Sequence, residues 1–159
     1  PHVFGDQGAD GPFHAKQNWE EAKHVEKKRK SRLDGVPKTL PALTKSQRLQ
    51  EKASYTGFDW DKIDQVWDKV HEEIQELKEA EKSGITRNIE EELGDTLFSI
   101  VNLSRFLGIS AETALRKSNR KFMNRFKALE QEYKKRGEKI EDSNLKEMDK
   151  IWNNVKKQT

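Results

Sequence analysis

Four acidic side chains within a short stretch could do chemistry together. In HEEIQELKEAEKSGITRNIEEELGD, which starts at His71, Glu73 and Glu76 form one pair and Glu92 and Asp95 a second. Each pair is spaced i,i+3, so on a helix both members point from one face. Ser83-Gly84 lies between the pairs and offers a turn. The stretch therefore reads as two antiparallel helices whose acidic faces meet. Clustered carboxylates repel one another and are costly to desolvate, so the arrangement implies a cation. Magnesium suits it, being hard and taking oxygen ligands. The chain has no cysteine to attract zinc. Two such ions on four carboxylates would bridge a polyphosphate and generate a nucleophile from water.

The helices that must position these groups show in the apolar spacing. Ile63, Val66, Trp67, Val70, Ile74 and Leu77 recur at three- and four-residue steps and predict a helix over about 61–82. Glu73 lies beside that stripe, whereas Glu72 falls toward the outer face. From about Asn88 to Leu107 the chain is at its most apolar, with Leu93, Leu97, Phe98, Ile100, Val101, Leu103 and Phe106 around most of the circumference. The exception is a polar stripe of Glu92, Asp95, Ser99 and Asn102, so a helix fit for a core points its carboxylates into an interior cleft. Gly94 costs about 1 kcal/mol of helix propensity relative to alanine, which suggests a close approach to the backbone there.

Upstream, residues 1 to about 17 read as loop or disordered arm, and a charged helix is expected from Asn18 to about Ser31. The basic run Lys27 to Arg32 lacks interleaved aromatics and reads as a solvated helix end, with RNA binding a weaker alternative. Leu33 to Pro41 is a linker, a short helix follows over about 42–54, and the aromatics of Tyr55 to Trp60 are expected to pack on the core. Downstream, Ser110 is a credible N-cap for a helix to about Lys135, with Leu115, Phe122, Phe126 and Leu129 as its core face and Lys117, Lys121 and Arg125 as a basic row. Those cations could neutralise distal phosphates. A last helix from about Asn144 to Lys156 carries Met148, Ile151, Trp152 and Val155, and Trp152 reads first as core.

The whole chain bounds these readings. Its 159 residues suit one domain, or one domain plus an arm. With 37% charged residues and a mean hydropathy of -1.07, amphipathic helices with solvated outer faces fit better than a buried sheet. The expected fold is an all-α bundle. A net charge of +3 makes no global case for nucleic-acid binding. Neither a membrane span nor a signal peptide is visible, so a cytoplasmic protein is the expectation. A start at Pro1 suggests a piece of a longer protein. A ferritin-like di-iron site would need two Glu-x-x-His pairs, and Glu21/His24 is the single such spacing, set in the charged N-terminal helix.

An ExxE pair alone is common on charged helices, but Glu72-Glu-Ile-Gln-Glu76 together with Glu91-Glu-Leu-Gly-Asp95 resembles the ExxE/ExxD motif of the all-α nucleoside triphosphate pyrophosphohydrolases. LPALTKSQRLQEKASYTGFDW, EEELGDTLFSIVNLSRFLGI, ETALRKSNRKFMNRFKALE and MDKIWNNVKKQ are similar to the C-terminal half of MazG proteins. The resemblance covers about Val36 to Gln158, and PHVFGD with NWEEAK resembles the stretch joining the two MazG repeats. It implies a four-helix-bundle-type domain over 41–159, an inter-repeat arm over 1–40, and a homodimer. It further implies hydrolysis of nucleoside and deoxynucleoside triphosphates to monophosphate and pyrophosphate with magnesium, manganese being a substitute ion. The role implied is house-cleaning or lowering of alarmones, with broad specificity. Glu73, Glu76, Glu92 and Asp95 would be the metal ligands, and Glu72 a flanking acid that helps activate water. Lys121 and Arg125 match basic positions near the phosphates, Trp152 an aromatic that contacts the nucleotide, and Asn102 a contact to sugar or base. Some relatives carry lysine where this chain has Arg87-Asn88, and Arg87 is the residue expected to take over that contact. The competing expectation is a non-catalytic dimerisation or regulatory module of a two-repeat protein.

Overall fold

A computed structural model describes residues 11–159. It is all-helical among the described residues, with α1 (Pro12–Glu26), α2 (Ala42–Ser54), α3 (Ile63–Ser83), α4 (Thr86–Phe106), α5 (Ala111–Arg136) and α6 (Leu145–Gln158), and a short 3-10 turn at Ile140–Asp142 before α6. The chain divides between Glu112 and Thr113 into two compact units. No described helix is long and apolar enough to cross a membrane.

In the first unit α3 and α4 form an antiparallel hairpin. Val66 and Val70 pack on Leu103, flanked by Ile63 and Phe106. Gly84 turns the chain between them with φ +69°, a left-handed conformation that caps α3 at little cost only for glycine. Parts of the expected apolar stripes are not covered: Trp67 and Ile74 on α3, and Leu93, Leu97 and Ile100 on α4, are exposed. The reason is geometric. Each hairpin helix buries one side against its neighbour, and α2 covers only part of α4, so the remaining apolar arc stays uncovered among the described residues.

The N-terminal segment departs from the expectation of an arm up to residue 17. Residues 1–10 lie outside the described residues, but from Pro12 the chain is helical, because proline at the first helical position has its φ preset and needs no hydrogen-bond partner. The helix ends at Glu26 rather than near Ser31, with Lys28 at φ 48°. The basic run is thus a turn, and its Arg29 points inward toward Glu20. Gly35 fits here because a Cβ on it would come within 2.6 Å of the Arg29 guanidinium.

Charge joins α1 to α2, beside a ring contact of Phe13 with Tyr55 at 5.5 Å. Lys52 is 4% exposed and lies 2.7 Å from the Glu20 carboxylate, itself 12% exposed. Arg48 bridges Glu20 and Glu51, and Gln17 donates to the Tyr55 carbonyl at 2.8 Å. Burial would raise the Glu51 pKa, but the Tyr55 hydroxyl, Arg48 and Lys16 together hold it below the usual carboxylate range. The apolar residues of α2, Leu43, Leu49 and Ala53, are only half-buried, while Gln50, Lys52 and Ser54 are buried.

In the second unit α6 packs on the C-terminal half of α5 through Leu129, Tyr133, Ile151 and Val155, with Met148 and Trp152 at the edge. Asn144 caps α6, its side chain accepting from the Glu147 amide at 3.0 Å. Of the expected α5 core face only Leu129 is buried, whereas Leu115, Phe122 and Phe126 are exposed. The cause is length: 14 residues of α6 span about 21 Å at ~1.5 Å per residue, far short of the 26-residue α5.

Breaking one partner of a buried ion pair strands the other. Glu20→Leu should therefore destabilise the protein by about 3 kcal/mol, because it leaves both Lys52 and Arg29 without their shared carboxylate, whereas Lys52→Met should cost less, since Glu20 keeps Arg48 and Arg29. Urea unfolding of the three proteins measures both effects.

Candidate functional site

The α3–α4 hairpin sets the acidic groups opposite one another. Thr96 on α4 is buried, and its hydroxyl lies 2.8 Å from the Glu92 carbonyl of its own helix and 3.2 Å from the Glu73 carbonyl across the hairpin. This contact holds the register of the two helices at the level of the carboxylates. Oxygens of Glu73, Glu92 and Asp95 come within 4.8 Å of one another. Glu73 is 6% exposed; one of its oxygens sits 2.6 Å from Lys69 Nζ, and Oε2 is buried with no hydrogen-bond donor from the protein. Glu92 is half-buried and Asp95 exposed.

The electrostatics of the cluster are those of crowded like charge. Desolvation, then Asp95, Glu73 and Glu91, push the Glu92 carboxyl above its ordinary value. Glu76 is raised in the same way, by desolvation and by Glu73, Glu72 and Glu92, which places it at the edge of the cluster. Glu72 is exposed and 3.2 Å from Lys69. The Lys69 ammonium is correspondingly held well above its usual range by hydrogen bonds to Glu73 and Glu72. Three converging carboxylates, oxygen-only chemistry and an unpartnered buried oxygen on Glu73 fit a hard divalent cation. Among the described residues this is the one acidic group of that kind, and the Glu21/His24 spacing on α1 contributes to none.

Glu73, Asp95 and Lys69 also line a cleft of about 660 Å3 within the first unit, a size suited to a nucleotide-sized molecule. Phe58, Trp60 and Phe98 give it aromatic walls, and Gln50, Asn102 and Arg105 polar ones. The aromatics of the Tyr55–Trp60 segment thus split. Tyr55 packs inward as expected, but Phe58 and Trp60 are 81% and 43% exposed and face the cleft instead of the core. Arg105 grips Asp59 through both guanidinium nitrogens and donates to Asn102 Oδ1, fixing that segment on α4. Ser99 lines the cleft, yet its hydroxyl turns back to the Thr96 carbonyl at 2.7 Å.

The remaining sequence-derived candidates lie elsewhere. Arg87 is exposed in the first turn of α4 and is not among the residues that line the cleft. Lys121 and Arg125 belong to the second unit, where they line a groove with Lys117 and Arg120, and Arg125 donates to the Thr159 hydroxyl at 3.1 Å. Trp152 is half-buried in that unit against Phe122. At Gly94 no described atom outside its own stretch of helix lies within 4 Å of where a Cβ would stand, so the close approach expected from its cost is not made among the described residues. Lys69, Gln50, Phe58, Trp60 and the Asp59–Arg105 pair escaped the reading of the sequence. Of these, only Lys69 carried a local signal, its i,i+3 and i,i+4 spacing to Glu72 and Glu73.

The acidic hairpin lies within a stretch that matches a known family. Residues 63–129, which hold all four acidic positions, match the MazG nucleotide pyrophosphohydrolase domain. Over 98% of its length the chain is 45% identical to the nucleoside triphosphate pyrophosphohydrolase/pyrophosphatase MazG of Thermotoga maritima, and over 99% it is 41% identical to the nucleoside triphosphate pyrophosphohydrolase of Escherichia coli. It spans 59% and 62% of those two proteins. It is also 42% identical to the uncharacterized protein YabN of Bacillus subtilis, covering 32% of it. Residues 63–129 thus carry a MazG nucleotide pyrophosphohydrolase domain, and similarity to MazG pyrophosphohydrolases extends along nearly the whole chain.

Proposed function

We propose that this chain hydrolyses nucleoside and deoxynucleoside triphosphates to monophosphate and pyrophosphate, using a divalent cation held by Glu73, Glu92 and Asp95 with Glu76 beside them. The observation that carries the reading is the convergence of three carboxylates within 4.8 Å, one of them buried with an unpartnered oxygen, on the wall of a nucleotide-sized cleft. The names of the two enzymes most fully matched support the reaction. Magnesium is the ion proposed, with manganese as a substitute, because every donor is a hard carboxylate oxygen. Bound there, such an ion would neutralise polyphosphate charge and lower the pKa of water.

The chain's own residues have separate tasks in this reading. The Thr96 contact keeps the two acidic helices in register, and Lys69 orients the Glu73 carboxylate by binding one of its oxygens. Glu72, exposed beside Lys69, is the group proposed to help activate water. Phe58, Trp60 and Phe98 offer stacking surfaces that accept any base, which supports broad specificity. The resemblance to MazG proteins supports Lys121, Arg125 and Arg87 as phosphate-neutralising cations, Trp152 as a nucleotide contact and Asn102 as a contact to sugar or base. It likewise supports a house-cleaning or alarmone-lowering role in the cytoplasm, and an assignment of 41–159 as catalytic portion and 1–40 as the join between repeats.

A homodimer belongs to the same proposal. Leu93, Leu97 and Ile100 stand exposed at i,i+4,i+7 on α4, and Trp67 and Ile74 on α3. Two hairpins packed through these rows would complete a four-helix bundle and bring Gly94 the close neighbour it lacks among the described residues.

Glu73→Gln or Asp95→Asn should lower the rate of pyrophosphate release at least about 100-fold while leaving the helical circular dichroism signal in place. Undiminished activity in either variant, or in EDTA, would sink the metal-dependent reading. A wild-type protein that releases no pyrophosphate from any common nucleoside triphosphate would favour the non-catalytic module. By light scattering the wild type should run at twice its 18.6 kDa chain mass, and Leu97→Glu should shift it toward monomer, since a buried unpaired charge at such an interface is strongly unfavourable.

A further inference from the structure

Gln50 is a polar side chain in the wall of the cleft, and it is only 8% exposed. Its amide nitrogen donates to the Phe98 carbonyl at 2.9 Å. That bond settles which way the amide lies, because a carbonyl can meet only the nitrogen end. The oxygen end is therefore directed away from Phe98, and this Oε1 is buried with no hydrogen-bond partner among the described residues. A buried acceptor without a donor costs free energy, so an apolar side chain of the same length would pack this position better. Around it the cleft offers flat apolar surface from Phe98 and Trp60, and the acidic group at Glu73 and Asp95.

We propose that Gln50 reads the nucleobase: its Oε1 accepts an N–H from the base edge while aromatic walls of the cleft stack on the ring. The inference rests on the nucleotide-hydrolase reading and adds the recognition element that reading lacks. Adenine, cytosine, guanine and uracil each carry an N–H donor on the pairing edge, so one acceptor admits all of them. It disfavours bases that lack such a donor, because binding them leaves the buried oxygen unpaired. A single acceptor thus reconciles tolerance among ordinary bases with rejection of bases whose edge has lost its proton.

The test uses the magnesium-loaded protein and triphosphate analogues with an imido bridge between the α and β phosphorus atoms, so that binding is measured without turnover. By calorimetry the wild type should bind the adenosine analogue about tenfold tighter than the purine riboside analogue, which lacks the amino group. Gln50→Met should bring the two within about twofold of each other, chiefly by weakening the adenosine analogue. Equal weakening of both analogues by Gln50→Met would mark Gln50 as only a tie between α2 and α4, and would overturn the proposal. If Gln50→Met fails to fold, the wild type alone decides on a second pair, uridine against 3-methyluridine: a preference for uridine supports the proposal and equal binding overturns it. Base discrimination without pyrophosphate release from ATP would sink the hydrolase reading and leave the base reading standing. Turnover of ATP and purine riboside triphosphate at equal kcat/KM would do the reverse, and binding of neither analogue would sink both.

Discussion

The structure depends on keeping a carboxylate inside a helical hairpin. Glu73 sits on the inward stripe of α3, between Val70 and Ala80, where a charged group is tolerated only with partners. Lys69 meets one oxygen, the other is buried with no partner among the described residues, and one Glu73 oxygen comes within 4.8 Å of oxygens of Glu92 and Asp95. Everything near it serves that placement. Valine and leucine packing holds the helices together, Thr96 sets their register, and the left-handed glycine at position 84 lets the chain reverse sharply enough for the acids to face one another.

A site of this kind favours binding over packing. Desolvation first, and then like-charge neighbours, raise the pKa values of Glu92 and Glu76, and the unpartnered oxygens of Glu73 and Gln50 report hydrogen-bonding capacity that the described residues leave unused. Buried polar groups in stable cores are paired, and exceptions concentrate where a ligand completes the set. Of the three such atoms among the described residues, those of Glu73 and Gln50 belong to residues lining the same cleft, while the third, His24 Nδ1, lies beside the ionic clamp of α1 and α2. Stability is found elsewhere, in the apolar seams of the hairpin and of the α5–α6 pair, and in the ionic clamp between α1 and α2. The clamp is specific in a way that apolar contact is not, since Glu20 is approached by Lys52, Arg48 and Arg29 from separate segments of the chain.

Some errors in the reading of the sequence have one origin. Leu93, Leu97, Ile100, Phe122 and Phe126 were expected to be core because apolar residues at helical spacing usually are, yet they are exposed. Periodicity marks a face that wants cover without saying what covers it. Conversely, Lys52 and Gln50 looked like ordinary polar residues of a surface helix and are buried. A charge is buried only when partners from other segments arrive, and no local pattern records that Glu20 would come from 32 residues away.

The sequence by itself determined the helices, their approximate ends, and the acidic groups that share a helical face, because those follow from spacing along one chain and from the chemistry of carboxylates. It also carried the family, through the acidic boxes and the text around them. Only the tertiary structure decided that Glu73 is the buried member, that Lys69 is its counter-ion, and that Phe58 and Trp60 turn to a cleft. The orphaned oxygen of Gln50 was likewise invisible before folding. These properties belong to pairs of residues brought together across the fold, where desolvation and the supply of hydrogen-bond partners are set by neighbours that linear spacing does not specify.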